Sequence, residues 1–275
     1  MTTILLACSD EHVNDKKGLC SVRQFTAEGK PEPYTQTQIS ALRAFESFAD
    51  KGAQVAEREK ADHIVWVNVG DAADLNKRGL RSQIAHTEQE VCDHMGVVFR
   101  KLTNLADERY IIRGTEFHNG DECTIEESFG KDIGAQVDPE TGKHAFWRLK
   151  LECEGVRFDF AHHPKFRSAS EWGIVGATEK ESAYVALKYA RDNERIPDVV
   201  VRAHLHSYAD SGERPKPKVY FLDGWQAMTA FGYNKGFSVA SAIGGLIFVC
   251  RDGEVKGERE WYHPRREKVW KTNSK

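Results

Sequence analysis

The sequence of 275 residues predicts an α/β fold in which parallel and antiparallel strands occur together. Short apolar runs rich in β-branched residues alternate with longer amphipathic segments, an order typical of sheets with crossover helices. A later segment alternates apolar and polar residues around Glu154-Gly155, which indicates a hairpin and therefore antiparallel strands. With 40% hydrophobic residues and a net charge of −3, the composition excludes a disordered chain and gives no sign of an electrostatic nucleic-acid binder.

Each element follows from its own pattern. Continuous apolar runs predict strands buried on both faces at 4–8, 64–69, 109–113 and 199–203. Apolar residues at helical spacing predict helices over 36–60, 81–101 and 178–195. The hairpin occupies 145–162, and the strand patterns VYFLD, FSVASA, GLIFVC and EREWY follow it. Segments rich in Gly, Pro and charge are expected to be long surface loops, at 13–35, 119–144 and 207–218.

No linker composition divides the chain, so we predict a single domain over residues 1–275, with a core at about 4–250 and a C-terminal strand and tail at 251–275. The longest apolar run, 242–250, is far shorter than the roughly 20 residues of a membrane helix, so no membrane partner is expected. The six cysteines are scattered without a C-x-x-C pair, which is typical of reduced thiols. A cytoplasmic location is therefore expected.

Carboxylates and imidazoles follow five of the predicted strands. They occur at 10–12 (DEH), 70–74 (GDAAD), 114–118 (GTEFH), 162–163 (HH) and 204–206 (HLH). The carboxyl ends of strands in open α/β sheets are where ligands bind, and mixed imidazole and carboxylate donors suit divalent metals. A carboxylate such as Asp71 can bridge two ions, and paired metals about 3.5–4 Å apart are a recurrent device for phosphoester hydrolysis. Each motif alone is weak evidence for a metal site. The prediction rests on all five motifs occurring, in this order, at the ends of predicted strands.

These segments resemble the signature of the calcineurin-like metallophosphoesterase superfamily, which runs D-x-H, G-D-x-x-D, G-N-H-[DE], a lone His and G-H-x-H. The corresponding segments here are DEH, GDAAD, GTEFH, HH and AHLH, so the resemblance spans about residues 4–206. The altered motifs resemble those of a divergent branch, of the kind found in phage and prophage genomes. The resemblance implies a four-layer α/β/β/α sandwich with mixed β-sheets and two divalent metal ions (Mn, Fe, Zn or Ni).

The resemblance also implies a role for each matching residue. The first metal would be held by Asp10, His12 and His206, and Asp71 would bridge both ions. The second metal would be held by His204 and by one member of the pair His162 and His163, which remain alternatives.

The third motif departs from the family pattern. Thr115 stands where the family has an Asn ligand of the second metal, and Glu116 stands where it has the His that protonates the leaving oxygen. Glu116 could ligate the second metal while His118 acts as the general acid; alternatively, His118 is only a surface residue at a helix start. A third carboxylate in the site would reduce its positive charge, so weak phosphate binding, or recruitment of nearby cations, is expected in the first case.

Three other positions are candidates near the motifs. Asp74 either orients a ligand by hydrogen bonding or caps the next helix. Arg167 and Trp172, in the loop after the histidine pair, could contact phosphate and stack on a base, or simply pack. Arg113 and Arg202 precede two motifs and could either reach a phosphate or be solvated, and solvation is the favoured expectation.

The expected activity is hydrolysis of a phosphomonoester or phosphodiester by a metal-activated hydroxide. The substrate would be a phosphorylated small molecule or nucleic acid, and the phage-like resemblance favours a nucleotide or nucleic acid. The alternative is a catalytically degenerate scaffold that binds metal or a partner without turnover, as the altered third motif suggests.

Overall fold

Two mixed β-sheets, flanked by helices, organise the protein. The computed structural model describes residues 1–20, 35–75, 87–168, 171–213, 216–227 and 242–263, except the side chains of residues 171 and 172. The strands in these ranges are β1 (Thr2–Cys8), β2 (His63–Asn68), β3 (Glu108–Ile112), β4 (Ala145–Phe146), β5 (Leu149–Cys153), β6 (Val156–Phe160), β7 (Val199–Arg202), β8 (Ala209–Asp210), β9 (Lys218–Phe221), β10 (Ile243–Arg251) and β11 (Glu254–Tyr262). The α-helices are α1 (Gln36–Glu59), α2 (Glu88–Val98), α3 (Arg100–Leu105), α4 (Glu116–Asn119), α5 (Thr124–Asp132) and α6 (Glu171–Arg191).

The first sheet has six strands in the order β11-β10-β1-β2-β3-β4, and the second has five in the order β5-β6-β7-β9-β8. Strands β1 to β4 run parallel to one another, whereas β10 pairs with β1 in the antiparallel sense. In the second sheet β6, β7 and β9 are parallel, and β5 and β8 are antiparallel edges. Both sheets are therefore mixed, as the sequence predicts.

Three apolar clusters separate four layers. Alternate residues of β1 face opposite sides, so Ile4 packs among the helices α1, α2, α3 and α5, while Leu5 packs between the two sheets. On the far side of the second sheet, Val200 packs against Val185 and Tyr189 of α6. The layer order is α/β/β/α, which confirms the predicted fold class.

The long helices begin at sequence signals that the chain carries locally. Thr35 and Gln38 form a capping box at the start of α1, and Thr87 and Glu90 form another at the start of α2. The predicted helix 81–101 is interrupted at Phe99, where α2 ends and α3 begins, and its residues 81–86 lie outside the described ranges. The predicted strand FSVASA also lies almost entirely outside them.

The expectation of a loop over 119–144 is wrong, because this segment contains α5. Ile125 and Phe129, four residues apart, are buried against the first sheet, and this short apolar stripe is interleaved with charged residues. All six cysteines lie in described ranges and are buried free thiols. None of the described helices combines the length and the apolar character needed to cross a membrane.

Candidate metal centre

The carboxyl ends of strands from both sheets meet at one place. The loops after the neighbouring parallel strands β1 and β2 are bonded together, since Asp10 N–H donates to the Gly70 carbonyl (2.9 Å) and His12 N–H to that of Asp71 (3.1 Å). The second sheet joins them where the His204 N–H donates to Oδ2 of Asp10 (3.2 Å). Residues that are far apart in sequence are thus held side by side by backbone contacts.

The candidate ligands adopt an uncommon backbone conformation. Left-handed φ values occur at Asp10 (56°), His12 (44°), Asp71 (54°), His204 (73°) and His206 (51°). Each such non-glycine residue costs about 1–3 kcal/mol, and residues of this kind cluster at functional sites. The clustering marks these strand ends as a site that the surrounding structure holds in place.

Glycines next to the candidate ligands allow the ligand side chains to lie close to the backbone. A Cβ atom at Gly114 would lie 2.2 Å from Oδ1 of Asp71, and one at Gly224 would lie 2.8 Å from Nδ1 of His206. No side chain fits at either position without moving a candidate ligand.

Asp10, His12 and His206 form the first group of possible ligands. The Nε2 atoms of His12 and His206 are 3.3 Å apart, and the latter is 3.2 Å from Oδ1 of Asp10. Oδ1 of Asp10 is buried and has no hydrogen-bond partner. Burial favours the neutral acid, but the neighbouring His206 holds the pKa of Asp10 below its usual range.

Asp71 has one oxygen fully bonded and one facing the cluster. Its Oδ1 accepts from the Thr115 N–H (2.6 Å), the Thr115 hydroxyl (2.8 Å) and the Asn119 amide (2.8 Å). Its Oδ2 lies 3.0 Å from Nε2 of His162. Burial opposes ionisation, but the adjacent His162 keeps the pKa of Asp71 well below its usual value.

His162 is fixed by a hydrogen bond on its other nitrogen. Nδ1 donates to the Val69 carbonyl (2.7 Å), so Nε2 is directed at Asp71, and this buried atom has no hydrogen-bond partner. Burial would lower the pKa of His162, but Asp71 raises it to about 10. A second contact that fixes the tautomer is typical of metal-binding histidines.

His162, His163 and His204 form a further group, with one ring nitrogen from each within 4.8 Å of the others. His162 is buried, while His163 is exposed. Burial, followed by the positive charge of His162, lowers the pKa of both His163 and His204 to about 4. These two imidazoles are therefore neutral at pH 7, the form that binds metal.

His118 lies beside the first group rather than on an isolated surface. Its Nδ1 donates to Oδ2 of Asp74 (3.1 Å), and its ring packs edge-on against His12 with centroids 4.4 Å apart. Burial lowers the pKa of His118, but the hydrogen bond to Asp74 raises it above its usual value overall. Asp74 thus orients His118; the helix that Asp74 could cap would fall in residues 76–86, outside the described ranges.

The structure does not bring every candidate to the cluster. Glu116 begins α4 with an exposed side chain and belongs to none of the possible ligand groups. Arg167 is exposed, and its charge contributes to lowering the pKa of His163, which puts it on the same side of the site. The side chain of Trp172 lies outside the described residues.

Several buried polar residues around the site escape sequence reasoning. Glu126 of α5 accepts hydrogen bonds from the N–H groups of Gly114 (2.7 Å) and Ala72 (3.3 Å), and burial raises its pKa to about 8. Asn68 links the first two motifs, because it donates to Glu11 (2.9 Å) and accepts from Gly70 N–H (3.0 Å). Glu126 lies in the segment expected to be a loop, so the sequence does not predict its burial beside the site.

The expectation that Arg202 is solvated is wrong. The guanidinium is buried and donates to Asp159 (3.1 Å) and to Glu181 of α6 (3.1 Å). Glu181 also accepts from the N–H groups of Lys165 (2.8 Å) and Phe166 (3.2 Å), in the loop after the histidine pair. One buried ion network therefore anchors both this loop and the strand that leads to His204.

Arg113 is likewise buried rather than solvated. Its guanidinium donates to the Ala145 carbonyl (2.9 Å) and to the carboxylate of Glu127 (3.3 Å). It ties the end of β3 to β4 and α5.

No known family profile and no curated protein matches this sequence. Solved structures match at low similarity. A single mutant of Vps29 from Entamoeba histolytica has 12% identity and a TM-score of 0.38, covering 94% of this chain and 99% of its own. A dimetal phosphatase from Danio rerio has 11% identity and a TM-score of 0.47, and the match covers 95% of this chain and 98% of the phosphatase. The NAD nucleotidase of Haemophilus influenzae has 11% identity and a TM-score of 0.37, and the match covers 94% of this chain and 49% of the nucleotidase. Similarity this low carries no functional inference.

Proposed function

We propose that this protein is a metal-dependent phosphoesterase with two divalent ions at the strand-end cluster. The observation that carries the proposal is a set of buried ligand atoms that converge without hydrogen bonding. Asp10 Oδ1 and His162 Nε2 each lie within 3.2 Å of another ligand atom, yet neither has a hydrogen-bond partner. Buried polar atoms left in this state are costly, and a shared cation would satisfy them.

The donors divide between two ions. Asp10, His12 and His206 would hold one ion, and His162 and His204 the other. Asp71 would be shared by both ions, and its Oδ1 is held in place by three hydrogen bonds. Mixed imidazole and carboxylate donors fit Mn, Fe, Zn or Ni.

The charge of two ions would be largely offset by the carboxylates of the site. Glu116 is outside the ligand groups, but Asp74 forms one of them with His12 and His118, so three carboxylates lie at the cluster, Asp10, Asp71 and Asp74. Two divalent ions would therefore keep only a small net positive charge, and weak phosphate binding is expected, with Asp74 rather than Glu116 as the third carboxylate. The bound ions would polarise the phosphoryl oxygens and lower the pKa of the attacking water.

His118 would protonate the leaving oxygen. Its raised pKa keeps the imidazole protonated closer to neutral pH, and Asp74 holds Nδ1 so that Nε2 can carry the transferred proton. Arg167, exposed near His163, would contact the phosphate. The substrate class is a phosphorylated small molecule, nucleotide or nucleic acid.

The test uses an aryl phosphate monoester and diester with Mn, Fe, Zn or Ni added, together with metal analysis of the protein. His118→Ala should lower turnover by about 10²–10⁴-fold while metal content stays full. Unchanged turnover in this variant would exclude the acid role.

A second candidate is a scaffold that binds metal without turnover. It is favoured by the third motif, where Thr115 and Glu116 replace the residues of the resembling family. Full occupancy by metal without hydrolysis of either ester would support the scaffold over the enzyme.

A further inference from the structure

The second metal position has more imidazole donors around it than the resembling family pattern requires. The rings of His163 and His204 have centroids 4.6 Å apart, and those of His162 and His163 are 4.7 Å apart. A nitrogen from each of the three rings lies within 4.8 Å of the others. A pair of strand-end histidines would need only one member to reach this place, but here both do.

Thr115 does not replace the Asn that is a ligand of the second metal in the resembling family. The Thr115 hydroxyl lies 2.8 and 3.1 Å from the two oxygens of Asp71, and its N–H lies 2.6 Å from the first. Thr115 therefore braces the bridging carboxylate. The neighbouring Glu116 belongs to none of the possible ligand groups, so neither residue of the altered motif fills the missing place.

We propose that His163 takes this place and completes a site of three imidazoles, His162, His163 and His204, with Asp71 as the fourth donor. This inference rests on the proposed function, because it assumes that the cluster holds two ions.

The completed site differs in chemistry from its neighbour. It offers three imidazole nitrogens and one carboxylate, whereas the other position offers Asp10 and Asp71 with two imidazoles. Imidazole-rich sites favour Zn²⁺, Ni²⁺ and related ions, while carboxylate-rich sites suit Mn²⁺ and Mg²⁺. The three-imidazole site should therefore select Zn²⁺ or Ni²⁺ over Mn²⁺ more strongly than its neighbour does.

The experiment is a calorimetric titration of the metal-stripped full chain with Zn²⁺ and with Mn²⁺. The wild type should bind two Zn²⁺ ions, and His163→Ala should weaken one of them by at least about tenfold. The control is His263→Ala, which removes an exposed imidazole that belongs to none of the ligand groups and should leave both ions unchanged. His163→Asp, which restores an oxygen donor, should recover the second ion and shift its preference from Zn²⁺ toward Mn²⁺.

The outcomes separate the two proposals. If the wild type and His163→Ala bind two Zn²⁺ ions with equal affinity, His163 is not a ligand, although the two-metal site stands. If the wild type itself binds fewer than two ions, the proposed function and this inference both fail.

Discussion

Replacing Arg202 by Met should destabilise the protein far more than the same change at a surface arginine. Arg202 is 4% exposed, and its partners Asp159 and Glu181 are 0% and 2% exposed. Removing one member of such a buried network leaves uncompensated charge and costs about 3–5 kcal/mol.

The loss of stability should lie at the low end of this range, because Asp159 and Glu181 keep other hydrogen-bond partners. Asp159 keeps Arg148 and the Tyr189 hydroxyl (2.8 Å), and Glu181 keeps two backbone N–H donors. We therefore expect the free energy of unfolding to fall by about 3 kcal/mol. With a urea m-value of about 1–3 kcal/mol/M, the midpoint should drop by about 1–3 M.

The assay is urea unfolding followed by circular dichroism, with Arg195→Met as the matched control. Arg195 is 51% exposed and lies 3.3 Å from Asp198, so this pair is worth less than about 1 kcal/mol. If both variants lose the same small amount of stability, the account of the buried network is refuted.

Three further predictions concern the site and its supports. Gly224→Ala should weaken metal binding by about tenfold, since the new methyl would lie 2.8 Å from a ring atom of His206. The control is Gly96→Ala in α2, where a new methyl would have nothing within 4 Å; this variant should keep the metal affinity of the wild type and gain up to about 1 kcal/mol of stability. Asp71→Asn should lose binuclear metal binding in calorimetry, because the amide carries no negative charge and its NH2 group cannot donate a lone pair to an ion. Two ions bound at wild-type affinity would contradict the bridging role. Burial favours neutral Asp159, but Arg202 and Arg148 keep its pKa below the usual value, so its contribution to stability is complete above about pH 4 and is lost as the pH falls through the lower folded value. Acid unfolding curves of the wild type and Asp159→Asn should differ over that window, and parallel curves would remove Asp159 from the explanation.

The sequence predicts the parallel strands and the candidate ligands because their signals are local. The run 4–8 is apolar at every position, which favours burial on both faces, and β1 covers it. The motif residues follow such runs directly, so the side chains after β1, β2 and β3 are expected at one edge of one parallel sheet. The histidines after β6 and β7 belong to the second sheet, and their place beside Asp10 depends on a long-range contact.

What the sequence does not predict depends on pairing across the fold. Arg202 looks like a strand-end cation until Asp159 and Glu181 meet it, and they come from another strand and from α6. Thr115 and Glu116 are neighbours in sequence, yet only Thr115 bonds to Asp71, because α4 begins between them. The choice between adjacent side chains is made by the packing of α4 against the strand ends, which no pattern in the chain records.

The left-handed backbone at five candidate ligands sets stability against function. Glycine adopts this conformation freely, so replacing His206 (φ 51°) by glycine would relieve local strain of about 1–3 kcal/mol while deleting a metal donor. Selection for thermal stability alone would therefore erode the cluster, one imidazole or carboxylate at a time. Stabilised variants of this protein are best screened for retained metal as well as for melting temperature, because the two properties are opposed at these five positions.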